Sequence, residues 1–155
     1  MGAPTEFIRQ ALGFERLHPT ADPFLSIVIN IMNTSDELAW RFDTNDGVVS
    51  LMLQATDERG HFEYVPYIRD ESDENYSGVQ ELFEGRSSLA DQPVIVPGTF
   101  VLFKGCRSCH IVTPISRTRQ ARLNLLYSYD ERPNMMFSEA SRKKNRNQYL
   151  DQISV

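Results

Sequence analysis

The chain has 155 residues, 41% of them hydrophobic and 24% charged, with a net charge of −5. That is one domain's worth of ordinary globular composition, long enough to bury a core. The acidic balance argues against a nucleic-acid surface, and no apolar run reaches the roughly 18 residues of a membrane span.

The first residues have no basic segment followed by an apolar one, so no secretory signal is read there. Met1-Gly2 opens like a myristoylation site, but Glu6 stands where that motif requires Ser or Thr. Two cysteines without a signal imply free thiols in a reducing compartment, and the expected location is cytoplasmic.

In chain order, residues 6–17 place Phe7, Ile8, Ala11, Leu12, Phe14 and Leu17 at helical spacing, which predicts a short amphipathic helix. Pro19 to Pro23 is a turn. The β-branched run from Phe24 to Met32 predicts a strand, and Asn33 to Glu37 the next turn. Trp40 to Asp43 and Val48 to Gln54 read as one strand or as two joined at Asn45-Asp46-Gly47. Asp57-Glu58-Arg59-Gly60 reads as a hairpin loop, followed by an alternating strand from Phe62 to Tyr67.

Residues 70–78 are acidic and poor in apolar side chains, a surface excursion. Val79, Leu82 and Phe83 fit one or two helical turns before Gly85. Strands are expected again at 93–96, 99–103, 110–112 and 123–129. The tail from Ser138, with Arg142, Lys143, Lys144 and Arg146, predicts a surface helix or frayed end. Many short strands with little helix between them predict a mainly β domain, a sandwich or barrel.

Two constellations could carry chemistry. Cys106-Arg107-Ser108-Cys109-His110 matches a c-type haem attachment pattern, and its thiols could form a redox pair or half a zinc site. The context disfavours all three. There is no export signal, no helix opens after Cys109, and only His18 and His61 remain as further histidines. The second constellation is Asp43, His110 and Arg122, each at or near the head or end of a strand. A carboxylate and an imidazole can hold a divalent metal, and a nearby arginine fork can bind a dicarboxylate. Spacing alone does not single this triple out.

Several segments together resemble a family. They are Trp40-x-Phe42-Asp43-x-Asn45, Leu51-Met52-Leu53-Gln54, the run from Phe62 to Arg69, and Asp73-Glu74-Asn75-Tyr76. To these add Pro97-Gly98-Thr99-Phe100-Val101-Leu102-Phe103, Ser108-x-His110-x-Val112-Thr113-Pro114, and Arg122. Over about residues 20–135 the chain resembles the iron(II)/2-oxoglutarate-dependent oxygenases, in the branch of free amino acid hydroxylases and halogenases.

The resemblance implies a single domain over 1–155, a double-stranded β-helix (jelly roll) with a short N-terminal helix and a short C-terminal helix. Fuller members carry helices ahead of this region, so the chain reads as N-terminally short. It implies Fe(II) and 2-oxoglutarate as cofactors and a small-molecule substrate such as a free amino acid, which would be hydroxylated. Carried over by position, Asp43 and His110 are metal ligands, and Arg122, Gln54 and Thr113 bind the cosubstrate. Glu63 and Arg69 would meet a zwitterionic substrate. Halogenating relatives replace the carboxylate with a small residue, so Asp43 favours hydroxylation.

One position departs from the pattern. Arg41 occupies the place of the first metal-binding His, two residues before Asp43. A guanidinium stays protonated and has no lone pair for a metal. His61 is a conceivable substitute donor, though a solvent-facing strand histidine is the simpler reading. Two expectations follow, a working dioxygenase or a non-catalytic binding protein on the same fold. In both, Cys109 takes an apolar position and Cys106 a turn.

Overall fold

The computed structural model describes residues 2–143 and 145. Helix α1 spans Ala3–Leu12, shorter than the periodicity suggests, because Gly13 takes a left-handed conformation with φ 69° and stops it. Phe14 and Leu17 still pack with Ile8 against Val49 and Tyr129. The apolar spacing therefore identified buried positions, and the glycine set the boundary.

Ten strands follow: β1 (His18–Pro19), β2 (Ile27–Met32), β3 (Leu38–Arg41), β4 (Gly47–Gln54) and β5 (Glu58–Arg59), then β6 (Phe62–Val65), β7 (Phe100–Phe103), β8 (Cys109–Val112), β9 (Ile115–Arg117) and β10 (Arg122–Asp130). All registered pairings are antiparallel. The large sheet runs β1-β10-β4-β7, with β2 also paired to β10. The smaller sheet runs β3-β8-β6, and β5 pairs with β9.

Strand alternation assigns the faces. On the large sheet, Asn30 of β2 is level with Asn124 of β10, and Leu126 is level with Ser50 of β4. These positions face inward. On the small sheet, Arg41 is level with His110, and Val112 with Phe62. Met32, Val112 and Ile115 form a buried cluster with Leu38 and Phe62 against it, which ties the large sheet to the small one.

The outer faces are treated differently. Helix α2 (Tyr76–Phe83) belongs to a cluster in which Leu82 packs with Val65, Ile68 and Cys109. Its N-cap Asn75 accepts from the Gly78 N–H at 3.2 Å and donates to the Ile68 carbonyl at 2.8 Å. The end of the acidic excursion is therefore a capped helix start. On the large sheet α1 covers only the Val49 and Tyr129 end. Ile27, Ile29, Ile31, Leu53 and Phe100 remain exposed.

Several expectations need correction. Residues 93–96 form no strand, and Val94 is 88% exposed; Asp91 alone bridges to Tyr64. Pro93 and Pro97, which bracket the run, remove ladder donors at both ends. Residues 57–60 are not a hairpin loop, since β4 and β6 belong to different sheets and β5 pairs with β9 instead. An Asp57–Arg119 ion pair at 2.9 Å supports that pairing. Pro19 lies in β1 rather than in a turn. In the tail, residues 139–143 are helical, whereas Lys144 and Arg146 lie outside the described residues.

Among the described residues, no helix is long and apolar enough to cross a membrane.

Candidate functional site

A narrow cavity opens between the two sheets. Asn30, Val48, Ser50, Arg122, Asn124 and Leu126 contribute from the large sheet, and Leu38, Arg41, Phe62, His110 and Val112 from the small one. Asp43 and Phe103 complete the wall. The free space is about 30 Å³. Asp43, His110 and Arg122, drawn from separate stretches of sequence, thus meet in one place, and Arg41 is there with them.

The local fold explains each placement. Asp43 follows β3, where its N–H donates to the Gly105 carbonyl at 3.0 Å. A Cβ on Gly105 would fall 2.8 Å from Asp43 Cβ and 2.9 Å from its Cγ, so only glycine leaves room for this carboxylate. His110 is 2% exposed, with the Phe103 ring edge-on at 5.0 Å and Phe62 at 5.9 Å. Its Nδ1 lies 3.0 Å from the Ser108 carbonyl. A carbonyl only accepts, so Nδ1 carries a proton, and Nε2 is the nitrogen that can present a lone pair. That Nε2 faces Asp43 Oδ1 at 3.6 Å. Two electron-pair donors aimed at each other across a gap suit a cation between them.

The cations present are guanidinium groups. Arg41 donates to the Leu38 and Ala39 carbonyls, both at a long 3.3 Å. Burial pulls its pKa down from the ordinary value, and Asp43 opposes that pull. Arg122 is 3% exposed; among the described residues its Nε has no hydrogen-bond partner, and NH1 approaches the Met32 sulfur at 4.0 Å. Burial, and secondarily the charge of Arg41, lower its pKa to about 10, which leaves it protonated at neutral pH.

The other expected site residues lie elsewhere. Gln54 Nε2 donates to the Ala121 carbonyl at 2.7 Å, and Thr113 Oγ1 accepts from the His61 N–H at 2.9 Å. Glu63 alternates with Phe62 on β6, which puts it on the face away from the cavity. The Arg69 guanidinium stacks 3.8 Å over Phe42, with Nε on the Cys106 carbonyl and NH1 on Glu74.

His61 is exposed and lines a second space of about 120 Å³, together with Thr56, Asp57, Arg59 and Gly60. Arg122 forms part of that wall too, so this residue lines both spaces. His61 is therefore not in the cavity wall shared by Asp43 and His110 and does not replace the missing ligand.

The sequence reading missed Asn30, Ser50 and Asn124, which line the cavity; Ser50 Oγ donates to Asn124 Oδ1 at 3.1 Å. Their signal was available: each is a polar side chain at an inward position of an otherwise apolar strand.

The thiols do not behave as a redox or haem-binding pair. Cys109 is fully buried against Leu82 and Val65, and burial pushes both thiols up to about 11, the reverse of a reactive cysteine.

Iron(II) would need a third donor beside Asp43 and His110. Among the described residues no group of three or more His, Cys, Asp or Glu could hold a metal ion, and the third place is taken by Arg41. The residues present do not fit a complete metal triad.

Searched by sequence, the chain matches no protein-family model and no curated protein. Solved structures do resemble it. The non-heme monooxygenase ThoJ, as its nickel complex, superimposes with TM-score 0.57 at 17% identity, over 86% of this chain and 53% of that one. A 2OG-Fe(II) oxygenase family oxidoreductase from Burkholderia pseudomallei gives 0.57 at 18% identity, over 83% and 51%. EctD from S. alaskensis, solved with 2-oxoglutarate and 5-hydroxyectoine, gives 0.56 at 19% identity, over 81% and 48%. The chain spans about half the length of these structures. Its fold is similar to that of these oxygenase structures, with an arginine beside the Asp43–His110 pair.

Proposed function

We propose that the chain is a dioxygenase-type domain of the iron(II)/2-oxoglutarate class on a double-stranded β-helix, whose cavity takes a small dicarboxylate such as 2-oxoglutarate. The observation that carries this reading is the convergence of Asp43, His110 and Arg122 on one cavity between two antiparallel sheets. In this reading Arg122 anchors the dicarboxylate through a charge-assisted fork, and the substrate class is a small molecule such as a free amino acid. The likeness to a structure solved with 2-oxoglutarate supports the cosubstrate class.

Arg41 favours a second reading, a non-catalytic binding protein on the same fold. No oxidative step is assigned to the chain as it stands, because its donors do not complete the metal triad.

The test is anaerobic titration with iron(II) in the presence of 2-oxoglutarate, followed by the visible charge-transfer band. The native chain is expected to bind iron weakly. Arg41→His should restore the third donor and tighten iron binding by at least about tenfold. An Arg41→His variant with unchanged iron affinity would place Arg41 outside the metal shell, and absence of the charge-transfer band, with no succinate formed from candidate amino acids in air, would remove the dioxygenase reading.

A further inference from the structure

We propose that the Arg41 guanidinium stands in for the divalent cation, and that Arg41 and Arg122 together hold a carboxylate in this cavity without any metal. The inference rests on the dicarboxylate reading above and goes beyond it by removing the metal from the binding step.

The charges in the wall carry it. Two arginines, Arg41 and Arg122, and one carboxylate, that of Asp43, line the cavity, so its fixed charges leave an excess of positive charge. Among the described residues neither Arg41 nor Arg122 forms an ion pair with a carboxylate within 4.0 Å. A buried cation without a counter-ion is costly, and an orphaned Nε adds the cost of an unmade hydrogen bond. Arg122 has both, at 3% exposure.

Among the described residues, the Arg41 guanidinium makes two long contacts to carbonyls of its own strand, so a charge-assisted partner would compete well for it. The two arginines are close enough for the charge of one to depress the pKa of the other. An anion between them would reverse that repulsion.

The chemistry of the anion follows from shape. A planar fork matches a carboxylate with two parallel hydrogen bonds. The cavity is narrow, and a carboxylate is a small enough head to reach the arginines that line it. Asp43 is one-quarter exposed, so the cavity reaches solvent on its side and the rest of the acid extends that way.

The test is binding itself, read by calorimetry and by the fluorescence of Trp40, the one tryptophan and the neighbour of Arg41. 2-Oxoglutarate and succinate are titrated into the full chain in excess EDTA, and separately with iron(II) under anaerobic conditions. Affinities in EDTA and in iron(II) should agree within about twofold. Arg41→Gln should weaken binding in EDTA by at least about tenfold, and Arg41→Lys, which keeps the charge but loses the fork, by a smaller factor. Arg122→Met should abolish binding in both conditions.

Binding that appears only with iron(II) would overturn the metal-free site and leave the dioxygenase reading standing. No binding in either condition would overturn both. Unchanged affinity in both Arg41 variants, each checked for a native unfolding transition, would also overturn the inference.

Discussion

At the scale of the residue, the site is governed by three small facts: a missing side chain, a fixed tautomer and a substituted ligand. Gly105 leaves the space that the Asp43 carboxylate fills. Gly105→Ala should force Asp43 or the β3 end to move. The expected loss is about 1–3 kcal/mol of stability, typical of an overpacked site, measured by urea unfolding. A transition superimposable on the native one would mean that Asp43 has another place to go. The tautomer of His110 is set by a backbone carbonyl rather than by a second carboxylate, so the ring's orientation is independent of Asp43. Asp43 and His110 are legible only through the family resemblance of the segments that carry them, since spacing alone does not single them out. The orphaned Nε of Arg122 is not legible at all, because it depends on what the fold brings near it.

At the scale of the element, β10 does most of the positioning. It is nine residues long, pairs with three strands, carries Arg122 at its start and ends on Asp130. Asp130 is fully buried and accepts from the Arg132 N–H at 2.9 Å and from its guanidinium at 2.8 and 2.9 Å. Burial would raise its pKa, but the Arg132 hydrogen bonds outweigh that and the net shift is downward. The folded pKa is thus below the unfolded value of about 3.9. The stabilisation is complete above that unfolded pKa and is lost as the pH falls through the folded one. Asp130→Asn should therefore be less stable than the native chain at pH 7, and the difference should shrink as the pH drops from 4 to 2. A constant difference over that range would rule out this linkage.

Strand signals of this kind were legible where β-branched residues cluster, as in Ile27–Met32, and where alternation was unbroken, as in Phe62–Val65. They failed at β5, β9 and β1, which are two or three residues long and exist only because a distant partner is opposite. The false strand at 93–96 shows the converse: an apolar run bracketed by Pro93 and Pro97 stays unpaired.

At the scale of the molecule, the large sheet carries an apolar outer face only partly covered. Ile29, Leu125, Leu51 and Phe100 lie level across β2, β10, β4 and β7, and Ile29 and Phe100 are 53% and 63% exposed. The double variant Ile29→Lys/Ile31→Lys should change stability by no more than about 1 kcal/mol, since both side chains already meet water. It should lower light scattering at high concentration and the binding of an apolar fluorescent dye. A loss of several kcal/mol would show that these side chains are packed. The mainly β class was legible from strand density alone. Which strands share a sheet was not, because register over such separations is decided by tertiary pairing.

The place of β10 in the chain has a consequence for time. β1, β2 and β4 all wait for a partner that comes roughly 70 to 110 residues later. Until Arg122–Asp130 is available, those strands have open edges and the cavity lacks its innermost cation. The sheet and the site therefore mature in one late step, and a chain interrupted before that step has neither.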